Sequence, residues 1–184
     1  MWSKGARWQS KLLVVALLCT ILAACGQPAE SRALSDVIRG AQTAELSVTN
    51  PPSQYHAAGV ASDVLQPMLD HAQTELSKYY VGDLLRQKIA GKRGEIRDML
   101  SAKAGGSVGG VSLVDLKDVR VSGRTAQVKA RVTVWFKSAQ FWWQDPGTRP
   151  SATNVMDLDV HLVQAGGAWR IDQETWQFAP GGGP

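Results

Sequence analysis

Hydrophobic and polar positions change their period along this chain, and each change marks an element. An uncharged run from Leu12 to Ala24 comes first, behind Lys4, Arg7 and Lys11 and with no acidic residue before Glu30. At about 13 residues, roughly 20 Å of helix, it is shorter than the ~20 residues that span a bilayer. A positive start, a short apolar core and small residues before a cut are the parts of a secretory signal peptide, predicted here over residues 1–24. The stretch from Gly26 to Ser53 is rich in Gln, Ala, Ser, Thr and Pro and ends in Asn50-Pro51-Pro52-Ser53. That composition predicts a flexible tether over 25–55. Leu34, Val37, Ile38 and Ala41 keep helical spacing, which allows a short helix within it.

A clear apolar stripe follows: Val60, Val64, Leu65, Met68, Leu69, Ala72, Leu76 and Tyr79-Tyr80 recur at steps of three and four, the period of a half-buried helix. Pro67 falls in an early turn, where it costs least or leaves a kink. A second helix is predicted from about Val81 to Ala102, with Leu84, Leu85, Ile89, Ile96, Met99 and Leu100 inward. Gly91 and Gly94 should break or bend it, since each Gly costs about 1 kcal/mol against Ala inside a helix. The Gly-rich run from Gly105 to Gly110 ends helical structure.

From Val111 the period is two. Strands are predicted over Ser112–Ser122, Thr125–Lys137, Asn154–Gln164 and Ala168–Phe178, with tight turns at Gly123-Arg124 and Gly166-Gly167. In the second strand Ala126, Val128, Ala130, Val132, Val134 and Phe136 alternate with Gln127, Lys129, Arg131, Thr133 and Trp135. In the third, Met156, Leu158, Val160 and Leu162 oppose Asp157, Asp159 and His161. Strict alternation puts Trp169 and Trp176 on opposite faces of the last strand. The tail from Ala179 to Pro184 should be disordered. Helices first, then four strands joined as hairpins with one apolar face, make an α+β domain over residues 56–178, helices packed on an antiparallel sheet.

This order of elements and the closing Gly167-Ala168-Trp169-Arg170-Ile171-Asp172 resemble the cystatin-like roll of the NTF2-like superfamily, over roughly Val60 to Phe178. The resemblance implies a curved, cone-like sheet with a pocket between it and the helices. It implies no single chemistry, because the fold hosts both enzymes and binding modules.

Leu22-Ala23-Ala24-Cys25 resembles the lipobox of bacterial lipoproteins, with Leu at −3, small residues at −2 and −1, and Cys at +1. That resemblance implies diacylglycerol on the Cys25 thiol, cleavage before it and acylation, commonly with palmitate, of the new amino group. The alternative is an ordinary signal peptide or an uncleaved anchor with a chance cysteine. The lipobox reading changes the rest of the composition. Lys4, Arg7 and Lys11 are three of the 20 basic residues, so the formal charge of +4 falls to 17 basic against 16 acidic in the mature chain. A nucleic-acid binder would carry a basic surplus, so no nucleic-acid partner is expected. Of the two cysteines, Cys19 leaves with the signal and Cys25 carries lipid, which leaves neither a disulfide nor a free thiol.

Candidate chemistry is sparse. Asp157, Asp159 and His161 stand at i, i+2 and i+4 on one strand, about 6.6 Å apart on one face, too far to share a metal without distortion. Lys129 and Arg131 on the neighbouring strand make cross-strand ion pairs the favoured reading, and no metal site or cofactor is predicted. His56 sits at the tether's end, and His71 lies off the apolar stripe of its helix. A pocket pair of His71 with Asp115 or Asp172 would suit an isomerase or dehydratase of this fold. No nucleophile elbow, phosphate loop or His-Glu-x-x-His is present. Between Lys78 and Lys103, seven basic residues (Lys78, Arg86, Lys88, Lys92, Arg93, Arg97, Lys103) face three acidic ones, which reads as a solvated face or one leaning on anionic lipid. The strongest contact signal is aromatic. Trp135, Phe136, Phe141, Trp142 and Trp143 crowd the loop Ser138–Thr153, and consecutive aromatics cannot all face one core. Trp135, Phe141, Trp142, Trp143 and Trp176 are therefore the candidate partner or ligand contacts, with a loop folded over the sheet as the alternative.

The expectation is a lipid-anchored envelope protein, held on the extracytoplasmic side of the cell membrane or outer membrane. Its module would be non-enzymatic, engaging a protein partner or small ligand through its pocket or aromatic loop. The alternative is an enzyme using a His/Asp pair, with no catalytic residue assigned.

Overall fold

The structure, a computed structural model, describes residues 29–47, 49, 61–102, 107–138 and 152–183. The predicted signal peptide, Cys25, His56 and the loop residues Phe141, Trp142 and Trp143 lie outside them. The chain divides into two units, Met1–Leu34 and Ser35–Pro184. Of the first, residues 29–34 are described and form the start of a helix; apart from them, all that follows concerns the second.

Three helices, α1 (residues 29–47), α2 (Ala61–Ser77) and α3 (Gly82–Ala102), precede four strands, β1 (Ser107–Ser122), β2 (Thr125–Ser138), β3 (Ala152–Ala165) and β4 (Ala168–Phe178). The strands form one antiparallel sheet in the order β1-β2-β3-β4. The fold is α+β, with helices on one face of an open antiparallel sheet. Its two outer hairpins close on glycine turns: Gly123 at φ 58°, then Gly166 and Gly167 at 61° and 82°. Two successive positive φ values in a two-residue loop match the right-handed twist of the flanking strands.

Burial follows the alternation. Ala126, Val128, Ala130, Val132 and Val134 of β2, with Met156, Leu158, Val160 and Leu162 of β3, are buried against the helices. Removing such side chains from water contributes roughly 25 cal/mol per Å² of apolar surface. At one end α2 and α3 build a cluster from Val64, Met68, Ala72, Ile96, Met99 and Leu100. Tyr80 then ties the helices to the sheet, because the link between α2 and α3 bridges Ile171 of β4 in parallel. Val81 N–H donates to the Ile171 carbonyl at 3.0 Å, and Ile171 N–H to that of Tyr79 at 2.7 Å.

Five expectations need correction. The tether's short helix is a helix over 29–47, with Ile38, Ala41 and Ala44 buried. From residue 35 it belongs to the sheet's unit, so that unit begins well before 56. Its apolar stripe finds a sheet to cover, and burial outweighs a polar composition. Second, α3 runs unbroken through Gly91 and Gly94. Lys92 and Ile96 are both buried, and that anchoring overrides the propensity cost.

Third, β1 starts at Ser107, inside the Gly-rich run. A Cβ on Gly109 would stand 2.9 Å from Leu46 Cβ and from the Trp135 carbonyl oxygen, so glycine lets α1 and β2 approach the strand. Fourth, the tail is ordered to residue 183: Val155 N–H donates to the Gly182 carbonyl at 2.7 Å, and Ala179 N–H to that of Val155 at 2.9 Å. Gly181, at φ 71°, makes the turn that permits this return. Fifth, β4 carries a bulge. Its register passes from His161↔Gln173 to Leu162↔Ile171, leaving Asp172 unpaired. The extra residue inverts the alternation, so Trp169 and Trp176 share the helix-facing side.

Candidate ligand cleft

The outer, polar face of the sheet holds the Asp157, Asp159 and His161 row, and each finds a neighbour. Arg131 grips Asp157 in a forked pair, Nε at 2.8 Å and Nη2 at 3.0 Å. Those hydrogen bonds first, and less strongly the guanidinium charge, hold the Asp157 carboxyl below the usual range, against an opposing effect of burial that ranks between the two. Asp159 lies 3.9 Å from Lys129 and accepts from Gln127 at 3.2 Å. His161 Nδ1 is 2.6 Å from Asp172 of the bulge. Asp172 is thus engaged by His161, and His71 is exposed on α2. Asp115 pairs with Lys117. The His71–Asp pair considered above is not assembled.

On the helix-facing side the bulge has a larger consequence. Beyond it Glu174, Trp176 and Phe178 take the positions opposite Val160, Leu158 and Met156, and the Glu174 side chain is only 2% exposed. A carboxylate in that position needs partners, and three elements supply them. Lys88 of α3 reaches Glu174 Oε1 at 3.0 Å and Glu45 Oε2 of α1 at 2.6 Å. The Tyr80 hydroxyl lies 3.0 Å from Glu45 Oε2 and 3.3 Å from Glu174 Oε2, and its one proton serves either carboxylate. Gln42 of α1 donates to Glu174 Oε2 at 3.2 Å. Burial, then the charges of Glu174 and Glu45, pushes the Tyr80 hydroxyl pKa up. For Lys88 burial works the other way, but the attraction and hydrogen bonds of Glu174 and Glu45 outweigh it and raise its pKa. With Tyr80 neutral, one ammonium faces two carboxylates, and the group carries a net charge of −1.

Above this network opens a cavity of about 180 Å³. Its polar lining comes from Gln42, Glu45, Asn154 and Glu174. Leu46, Phe136, Met156, Trp176 and Phe178 supply the apolar part. Trp176 and Phe178 are 54% and 42% exposed, and their rings meet edge to face with centroids 5.3 Å apart. Large apolar side chains this open, side by side, are unusual away from contact surfaces. Trp135 stands elsewhere: it alternates with the buried residues of β2, lies against Gly110 and has Lys137 Nζ 5.2 Å from its ring. The structure thus places Trp176 at the cleft and Trp135 on the opposite face of the sheet.

Sequence reasoning missed Glu45, Tyr80, Lys88 and Glu174 as a group. One signal was available: Leu85, Lys88, Lys92, Ile96 and Met99 follow the inward spacing of α3, so two lysines sit in an apolar stripe. Lys92 is indeed buried and pairs with Glu95 at 2.6 Å. The supposed basic outer face therefore loses two members inward, leaving Lys78, Arg86, Arg93 and Arg97 exposed among the described residues. Among the described residues no helix is long and apolar enough to cross a membrane.

No family model matches this chain, and no curated protein sequence matches it. Solved structures do resemble it. A periplasmic fragment of TraM is 8% identical, with a TM-score of 0.49, covering 81% of this chain and 98% of that one. The intermembrane-space region of the chloroplast protein ARC6 is 11% identical, with a TM-score of 0.46 and coverages of 68% and 94%. An NTF2-like protein with a cystatin-like fold from Novosphingobium aromaticivorans is 16% identical, with a TM-score of 0.37 and coverages of 88% and 90%. All three scores lie below 0.5, so these likenesses say nothing about what this chain binds or does.

Proposed function

We propose that this is a lipid-anchored cell-envelope protein whose module, of the NTF2-like kind, binds a protein partner or small ligand and catalyses no reaction. The observation that carries the binding reading is the Trp176–Phe178 pair, exposed at the mouth of a cleft on the helix-facing side. The ionisable groups below the cleft support binding over catalysis. Lys88, Glu45, Glu174 and Tyr80 are bonded to one another, and the two described histidines, His71 and His161, lie outside the cleft lining. An acid or base needs a titratable group within reach of a substrate proton. The anchor rests on Leu22-Ala23-Ala24-Cys25 and on the charge and apolar pattern before it.

A photo-crosslinking amino acid at position 178 tests the binding reading in intact cells. A discrete adduct from 178, absent when the same probe replaces Arg120 near the end of β1, is the expected result. Equal labelling from both positions overturns it, as does the absence of labelling from 178 together with the absence of small-molecule binding at the cleft.

A further inference from the structure

The geometry points to a small organic cation, an amine or quaternary ammonium on an apolar body, as the ligand of the cleft. This rests on the binding reading above and names the ligand class. The first ground is charge. Two carboxylates, Glu45 and Glu174, line the cavity, and among the described residues no Lys, Arg or His does. Lys88 lies beneath them and compensates one of the two charges, which leaves the floor at −1 beside low-dielectric walls, where an uncompensated charge is felt most strongly. The second ground is aromatic. Phe136, Trp176 and Phe178 border the same space, and ring faces attract cations, Trp most of all. The protein's own ammonium already uses this chemistry: Lys88 Nζ sits 5.2 Å from the Tyr80 ring centre while bonded to both glutamates.

Size limits the ligand. A volume of about 180 Å³ suits one small molecule. An anion would meet the glutamates at close range, so the charge also acts by exclusion. In the bound state the cationic head would face Glu45, whose side chain is 24% exposed, and the apolar body would lie against Trp176 and Phe178.

The test uses the full-length, detergent-solubilised protein and three probes: benzyltrimethylammonium, its neutral isostere neopentylbenzene, and benzenesulfonate. Titration calorimetry, read together with the indole N–H signal of Trp176 in nuclear magnetic resonance spectra, should show the cation binding at least tenfold more tightly than either other probe. Trp176→Ala, at an exposed position, should weaken the cation about tenfold, a change equal to ~1.4 kcal/mol. Glu45→Gln should weaken it with little effect on the neutral probe. Equal affinity for cation and isostere overturns the inference while leaving a binding cleft in place. Preference for benzenesulfonate, or no cation binding at millimolar concentration, overturns it as well. Absence of both probe binding and a crosslink from position 178 removes the binding reading too.

Discussion

Glu174 shows how much one residue depends on its surroundings. Its side chain is 2% exposed, and it is tolerable only because Lys88, Tyr80 and Gln42 reach it from separate segments. Removing one member of a buried ion pair leaves an uncompensated charge and typically costs 3–5 kcal/mol. Lys88→Met should therefore lower unfolding free energy by about 3 kcal/mol, read in a urea titration, and Lys88→Met with Glu174→Gln should recover part of that loss. A cost under about 1 kcal/mol would mean the network is solvated. The same residues set an alkaline limit. Tyr80 and Lys88 both have pKa values raised above their ordinary 10.0 and 10.5, so the protonated forms belong to the folded state. Their contribution is complete below those values and is lost as pH rises through the folded-state values. Stability should hold from pH 7 to 9 and decline above about 10, with a shallower decline in Tyr80→Phe.

At the scale of elements, glycines divide by what surrounds them. Gly91 lies in the interior of α3 with open space where a Cβ would be, so Gly91→Ala should stabilise by up to about 1 kcal/mol through helix propensity. Gly109 would place its Cβ 2.9 Å from Leu46 and from the Trp135 carbonyl, and overpacking of that kind costs about 1–3 kcal/mol. Thermal melts of the two variants should move in opposite directions; a shared sign would refute the packing of α1 on β1. Sequence spacing found α2, α3 and the four strands because each carries a regular stripe. It undervalued α1, whose apolar positions are diluted by Ser, Thr and Gln, and it shortened β1, because glycine reads as a breaker unless the approaching neighbours are known.

At the scale of the whole molecule, the proposed anchor rests on sequence alone and the cleft on structure alone. Cys25→Ser should move the protein from the membrane to the soluble envelope fraction and abolish palmitate labelling; continued membrane retention would refute the lipobox reading. Roughly 10 residues separate Cys25 from Ser35, where the sheet's unit begins. The sequence by itself determined the period changes, the faces of β2 and β3 and the outer ion pairs, since all depend on residues close in the chain or on strict alternation. Only tertiary structure decided where Glu174, Trp176 and Phe178 point. A single unpaired residue, Asp172, turns them from the outer face to the inner one, and no local pattern announces a bulge. Only the packing of α1, α3 and β4 together brings Glu45 and Glu174 within 3.0 Å of the Lys88 ammonium, across 129 positions of chain between Glu45 and Glu174.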